Sequence, residues 1–173
     1  GHILDNPAGQ DMTVFTVVQP KSGNYIVSTG GQTGNGLGYA MIVGNGTWIR
    51  YSSGVAAGNS IADISGTFVN NEIHLVTDIF GGSNSAHSTN VNATSHSGGG
   101  GSITPRNSHQ DLTFGRPNNG LSLYGQFDLA EFIVINSTDP AVIAEINAYL
   151  ASKWGLTAKV DSDMDGVVDA SDA

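Results

Sequence analysis

The sequence of 173 residues is long enough to fold as one domain with its own core, with 39% hydrophobic and only 12% charged residues. Its formal net charge is −9 and its six basic residues are scattered, which excludes a basic surface for nucleic acid. The chain has no cysteine, which excludes disulfides, and no apolar run approaches the ~20 residues of a membrane span.

Short runs of alternating residues predict β-strands through the first half of the chain. Residues 12–19, MTVFTVVQ, have apolar side chains on both faces, which predicts a strand covered on both sides. Five further strands are predicted at 25–29, 39–43, 48–52, 63–69 and 72–80, with a loose segment at 54–60. A tight turn at Gly44–Gly46 joins the strands predicted at 39–43 and 48–52.

The second half of the chain continues this pattern up to residue 136. Residues 81–102 are rich in Gly, Ser, Asn and His, and we predict one strand near 86–95 followed by a flexible hairpin or loop. Closing strands are predicted at 111–115 and 121–136. The stretch 125–136 is the most apolar of the chain, so we expect it at the centre of a sheet.

One helix is predicted near the C-terminus. Ser137, Thr138 or Asp139 provides the N-cap, and Pro140 suits the first turn. Apolar residues then recur at helical spacing as far as Gly155, a residue type that commonly ends helices. Strands at short intervals followed by one helix predict an all-β fold, a sandwich of two sheets.

The segment 125–156, GQFDLAEFIVINSTDPAVIAEINAYLASKWGL, resembles the last strand and helix of bacterial concanavalin A-like lectin/glucanase domains of the laminin-G-like type. The runs MTVFTVVQP and TGNGLGYAMIVGNGTW resemble early strands of the same family. The resemblance covers residues 11–157 and implies a two-sheet antiparallel jelly-roll sandwich with one short C-terminal helix. It implies no single activity, because lectins, adhesion modules and glycosidases share this fold.

An acidic segment with regular spacing follows the predicted sandwich. Residues 161–172 fit the pattern D-x-D-x-D-G-x-x-D-x-x-D, in which oxygen ligands can converge on one hard cation and Gly166 permits a sharp turn. The pattern resembles the start of a thrombospondin type 3 repeat and, less closely, a dockerin loop. We therefore predict calcium as the cofactor. Its predicted ligands are Asp161, Asp163, Asp165, Asp169, Asp172 and the carbonyl group of Val167.

The same segment sets the predicted domain boundary. We expect a concanavalin A-like, laminin-G-like sandwich at 1–157 and an acidic calcium-type repeat at 158–173, the start of a linker to a downstream repeat region. An acidic linker that binds no metal is the alternative. Gly1 and His2 are interpreted as a cloning remnant, so we expect the natural chain to extend upstream.

Carboxylates on the predicted strand 72–80 are the first candidates for catalysis. Glycosidases of the resembling family carry three acids on one strand as E-x-D-x-x-E, whereas here His74 occupies the second acidic position. Glu72 and Asp78 are three same-face steps apart, about 20 Å, too far for the ~5 Å pair of a retaining hydrolase. We predict a solvated outer face for this strand and no catalytic residue.

Two acidic residues, Asp128 and Glu131, lie near the start of the last predicted strand. Alternation places Asp128 and Glu131 on opposite faces, so we predict that they do not act as a pair. For Asp128 we favour a turn-capping role over a structural calcium site.

Histidines and aromatic residues supply the other candidates. His87, His96 and His109 are interpreted as solvated loop residues. The best candidates to stack on a sugar and hydrogen-bond its hydroxyls are Trp48 and Tyr51 beside Arg50. Core packing is favoured for the remaining tyrosines considered, which are Tyr25, Tyr39 and Tyr124.

These features favour a non-catalytic extracellular binding module over two other classes of function. The predicted partner is a glycan or a cell-surface protein, and the domain is expected to be monomeric within a larger secreted or cell-surface bacterial protein, an adhesin or a polysaccharide-degrading enzyme. The second class is a structural spacer of a calcium-stiffened surface protein. A glycoside hydrolase is the least favoured, because the acidic triad is broken.

Overall fold

The computed structural model describes residues 11–23, 25–28, 39–42, 48–53, 58–64, 67–81, 87–97, 112–116 and 124–172. The strands within these ranges are β1 (Met12–Gly23), β2 (Tyr25–Ser28), β3 (Tyr39–Ile42), β4 (Trp48–Ser53), β5 (Gly58–Asp63), β6 (His74–Phe80), β7 (His87–Val91), β8 (Thr94–Ser97), β9 (Thr113–Phe114) and β10 (Gly125–Ile135). One helix, α1 (Pro140–Trp154), follows the last strand.

The strands form two five-stranded sheets. Sheet A has the order β10-β1-β6-β7-β8, and sheet B has the order β5-β4-β3-β2-β9. Every strand pairing in both sheets is antiparallel. The predicted all-β, two-sheet antiparallel jelly-roll sandwich with one short C-terminal helix is therefore confirmed.

The main core lies between the two sheets. Alternate residues of β1, such as Val14 and Val18, point towards sheet B and are fully buried. The buried members of this core are Met12, Val14, Val18, Ile26, Val27, Tyr39, Met41, Ile64, Phe68, Val76, Phe80 and Val91. Strands β1, β3 and β6 thus present their large apolar side chains to one shared interior.

A second core lies on the outer face of sheet A, beneath α1. Phe15 and Val17 of β1 point to this side and pack with Leu75 of β6 and with Leu150 of the helix. Strand β1 is consequently covered on both faces, as its sequence predicts. Replacing a buried leucine such as Leu150 by alanine is expected to cost about 2–5 kcal/mol of stability.

The helix begins and ends where its sequence predicts. The Asp139 carboxylate accepts a hydrogen bond from the Ala141 N–H at 2.9 Å, and Pro140 occupies the first turn. Gly155 ends the helix in the left-handed conformation, with φ of 67°. The part of the chain that the structure describes contains no helix that is both long and apolar enough to cross a membrane.

Two predicted strands differ from those observed. A strand is predicted at 63–69 after a loose segment at 54–60, but β5 covers Gly58–Asp63, so the prediction of a loose segment was wrong for residues 58–60. The Thr67 N–H and hydroxyl both donate to the Ile64 carbonyl oxygen and turn the chain after β5. The single strand predicted near 86–95 is the hairpin of β7 and β8. Its turn contains Asn92, whose φ of 55° suits asparagine better than most residues.

The position of β10 also differs from the prediction. Its apolar sequence predicts a central strand, but β10 lies at the end of the order of sheet A among the described strands. β10 is apolar because both of its faces pack against a core. Phe132 contacts the main core between the sheets, and Ile133 contacts the second core beneath α1.

Candidate functional site

The acidic loop, defined as residues 161–172, folds back onto the outer face of sheet A. Met164 packs into the core beneath α1, and its sulfur accepts a hydrogen bond from the Asn90 side chain at 3.2 Å. The buried Asn147 of α1 donates to the Ser162 carbonyl oxygen at 3.3 Å. These contacts join the loop to the sandwich, while the domain boundary predicted at residue 157 stays a prediction.

Three aspartates of the loop converge as the spacing predicts. Possible ligand oxygens of Asp161, Asp163 and Asp165 all lie within 4.8 Å of one another. The Asp161 carboxylate accepts hydrogen bonds from the backbone N–H groups of Asp165 and Gly166 at 3.2 and 2.8 Å. Gly166 has φ of 99°, so the turn that permits these bonds requires glycine.

The outer members of the predicted ligand set are arranged differently. Both carboxylate oxygens of Asp169 accept hydrogen bonds from Ser162, one from its N–H and one from its hydroxyl, each at 2.7 Å. Asp172 and Val167 are exposed. Metal ligation by Asp169, Asp172 and the Val167 carbonyl group stays a prediction.

The electrostatics of the loop suit a cation. Partial loss of hydration raises the pKa of Asp163, and the negative charges of Asp165 and Asp172 raise it further. A groove of about 530 Å³ lies between the loop and α1, and its lining includes Glu145 as well as Asp163 and Asp172. Hard carboxylate oxygens in such a group are the donors that calcium takes.

The two carboxylates of the predicted strand 72–80, those of Glu72 and Asp78, lie in different surroundings. Glu72 is exposed and pairs with Lys159 at 2.8 Å, and this ammonium group lowers the pKa of Glu72. Asp78 is fully buried between the sheets. The prediction of a solvated outer face was therefore wrong for Asp78 and His74, because β6 is an interior strand whose two faces are both covered.

Asp78 belongs to a buried group that we call the inter-sheet network: Tyr39, Asp78, His87 and Thr89. The hydroxyl groups of Tyr39 and Thr89 both donate to the Asp78 carboxylate at 2.6 Å. The Thr89 oxygen then accepts from Nε2 of His87 at 3.2 Å. Burial raises the pKa of Tyr39 well above its usual value, and the Asp78 charge raises it further.

The histidines predicted as solvated loop residues have three different outcomes. His87 is buried and stacks on Phe80 with 4.4 Å between ring centroids, so this prediction was wrong for His87. His96 lies in strand β8 and is half-buried, with Nε2 3.0 Å from the Thr67 hydroxyl, so the prediction of a loop position was wrong for it. His109 lies outside the described residues.

The aromatic residues that could stack on a sugar also differ in their surroundings. Trp48, Arg50 and Tyr51 lie in β4, but their side chains are outside the described part of the structure, so this site stays a prediction. The same holds for the Tyr25 side chain. Tyr39 is buried as predicted, whereas Tyr124 is 61% exposed and was wrongly assigned to the core.

Tyr124 belongs to a group that we call the outer strip: Lys21, Ser22, Tyr124, Gln126 and Asp128. From Tyr124 through the first residues of β10, exposed residues alternate with half-buried ones, which places Tyr124, Gln126 and Asp128 on one face. The Ser22 hydroxyl on the neighbouring β1 donates to Gln126 at 3.0 Å. Lys21 forms an ion pair with Asp128 at 2.7 Å.

The strip lies on the outer face of sheet A, beyond the area that α1 covers. Gln19 is the register partner of Asp128 and lies one residue beyond the inward-facing Val18. A β-bulge at Ala130 shifts the register of β10, so Glu131, the partner of Val17, faces this side as well. The predicted opposite facing of Asp128 and Glu131 was therefore wrong.

No family model and no curated protein matches this chain. Among solved structures, a Trypanosoma rangeli sialidase in complex with 2,3-difluoro-KDN is similar over 92% of this chain, with TM-score 0.51 and 13% identity. This chain spans 22% of that sialidase. The likeness shows a shared fold.

Two lectins are also among the similar structures. CG-16, a homodimeric agglutinin from chicken liver, is similar over 78% of this chain and 96% of its own, with 12% identity and TM-score 0.39. A tetrameric galectin from the sponge Cinachyrella sp. is similar over 73% of this chain and 92% of its own, with 10% identity and TM-score 0.39.

Proposed function

We propose that this domain is a non-catalytic carbohydrate-binding module of a larger extracellular bacterial protein. The observation that carries the proposal is the outer strip, where an exposed tyrosine ring stands among amide, hydroxyl and charged side chains on a jelly-roll sandwich. Tyrosine offers a rigid apolar face at a low cost in conformational entropy, and its polar neighbours can bond to hydroxyl groups.

Affinity electrophoresis tests this function. The chain is run through native gels that contain soluble polysaccharides, namely a β-1,3-glucan, a xyloglucan, a galactomannan, an alginate and a polygalacturonate, with bovine serum albumin as the control. Retardation by at least one polysaccharide, without release of reducing sugar, is expected. Normal migration in all gels contradicts a carbohydrate-binding role, and release of reducing sugar contradicts a non-catalytic one.

Calcium binding by the acidic loop belongs to the same proposal. The support is the convergence of Asp161, Asp163 and Asp165 and the bonding of Gly166 to Asp161. A bound ion stabilises the folded chain by mass action, so calcium chloride is expected to raise the melting temperature relative to a chelator. The D163N/D165N double variant should lose this shift, and an equal shift in both proteins contradicts this site.

A spacer function is the second candidate, favoured by the anchoring of the acidic loop through Met164 and Ser162. An ion bound there would stiffen the junction with whatever follows the sandwich. The two candidates give different results: a calcium-induced rise in melting temperature together with normal migration in every polysaccharide gel favours the spacer.

A further inference from the structure

We propose that the outer strip binds a neutral sugar ring within a glycan chain, an inference that rests on the proposed function and specifies its ligand class. The site differs from the one that the sequence predicts at Trp48–Tyr51. Its central side chain is Tyr124, which is 61% exposed. Its hydrogen-bonding groups are supplied by two adjacent strands, β1 and β10.

The spacing of the strip matches an extended ligand. Successive same-face residues on a strand are about 7 Å apart, so Tyr124 and Asp128 are separated by about 14 Å. Gln126 lies between them, and Ser22 lies opposite Gln126 on β1. A glycan chain lying along β10 would stack one ring on Tyr124 and place the hydroxyls of the next ring beside Gln126 and Ser22.

The charge of the strip favours a neutral ligand. Lys21 is paired with Asp128 at 2.7 Å, so the two opposite charges of the strip sum to zero and give it no net charge that would favour an ionic ligand. The formal net charge of −9 repels polyanions over longer distances. Hydroxyl groups, which both donate and accept hydrogen bonds, suit an amide, a hydroxyl and a neutralised ion pair.

Arg116 allows a carboxylated sugar to be distinguished from a neutral one. It is exposed and has no ion-pair partner among the described side chains. It follows Gly115, whose carbonyl oxygen accepts a hydrogen bond from the Gly125 N–H at 2.8 Å, so its backbone lies near the Tyr124 end of the strip in space. Guanidinium groups bind carboxylates in a two-pronged geometry, so a carboxylated sugar would depend on Arg116.

Tyr149 provides a matched control for Tyr124. It is 58% exposed on α1, but the Lys153 ammonium lies 5.5 Å from the centre of its ring. Both tyrosines are exposed, so their replacement by alanine is expected to change stability by less than about 0.5 kcal/mol. The melting temperatures of the two variants check that each is folded.

The test measures association constants for Y124A, Y124F, Y149A and R116Q by calorimetry, with the neutral polysaccharides and with alginate. Y124A is expected to lose affinity for a neutral polysaccharide by at least about tenfold, because a few residues, often aromatic, carry most of the binding energy of an interface. Y124F should retain most of the affinity, and Y149A and R116Q should bind as the unaltered chain does.

Failure of this inference and failure of the proposed function give different results. If the unaltered chain binds none of the polysaccharides, the proposed function fails. If it binds and Y124A binds equally well, carbohydrate binding stands but the strip is not the site. If alginate binds best and R116Q weakens it, the strip takes a carboxylated sugar and the neutral class is wrong.

Discussion

The inter-sheet network and the outer strip contain the same residue types, a tyrosine, an aspartate and a hydroxyl side chain, in opposite surroundings. In the network, Tyr39 and Thr89 donate to the buried Asp78 carboxylate at 2.6 Å. In the strip, Tyr124 and Asp128 are both exposed. Residue type alone therefore does not distinguish a structural polar group from a ligand site.

Burial makes this difference. A polar atom removed from water must be bonded within the protein, so the network contributes to the folded state and its hydroxyls already serve Asp78. A polar atom on the exposed face of β10 keeps water as an exchangeable partner, which a ligand can replace. The contrast predicts large stability effects for changes in the network and binding effects for changes in the strip.

The largest effect on stability is expected for D78A. It leaves the hydroxyls of Tyr39 and Thr89 without their buried acceptor, at about 1–3 kcal/mol for each donor, so the free energy of unfolding should fall by about 2–6 kcal/mol. Urea denaturation measures this change. The control is D128A in the strip, where loss of an exposed ion pair should cost less than about 1 kcal/mol. Equal losses of unfolding free energy in D78A and D128A would contradict the distinction between the buried network and the exposed strip.

A smaller effect is expected for Y39F. The ring remains in the core, but the buried carboxylate loses one donor, and hydrogen bonds to charged groups contribute about 1.5–3 kcal/mol. The matched variant Y124F removes a hydroxyl from an exposed ring and should leave the free energy of unfolding nearly unchanged. Thermal or urea denaturation of both proteins compares them. A loss in Y124F as large as that in Y39F contradicts the assignment of the two tyrosines.

The smallest effect is expected from the pH dependence contributed by His74. Burial lowers its pKa. Asn92 accepts from the Leu75 N–H through its oxygen at 3.0 Å, so its amide nitrogen faces Nδ1 of His74 at 3.1 Å and requires that atom to be an acceptor. A proton added to Nδ1 would place two donors face to face.

The sign of this dependence follows from proton binding. Below about pH 6.5 the unfolded chain binds a proton at His74 that the folded chain resists, so the stabilisation is complete above that pH and is lost as the pH falls through the lower folded pKa. The difference in unfolding free energy between the unaltered chain and H74Q should shrink from pH 8 to pH 5. A difference that is constant over this range contradicts the described role of His74.

Much of the fold is predictable from local sequence signals. The double-sided apolar pattern of residues 12–19 predicts β1, and Asp139, Pro140 and Gly155 predict both ends of α1. These signals act within a few residues of one another. The elements that they predict can therefore be recognised without knowledge of contacts between distant parts of the chain.

The wrong predictions concern residues whose burial or facing is determined by long-range packing. Alternation along residues 72–80 groups Glu72, His74 and Asp78, but only the packing of sheet B over β6 determines that this face is interior. The bulge at Ala130 reverses the facing that alternation gives to Glu131. Tyr124, directly before β10, is exposed, and its residue type alone does not predict that.

In the proposed division of roles, the outer strip binds a glycan while the inter-sheet network only stabilises the sandwich. Amide chemical-shift mapping by NMR, with a hexasaccharide of the neutral polysaccharide that retards the chain most, tests this claim directly. Residues 21–22 and 124–128 should show the largest shifts, with Tyr39, Asp78 and Thr89 nearly unchanged. Shifts centred on Trp48–Tyr51 in β4, or no shift near Tyr124, would contradict the account.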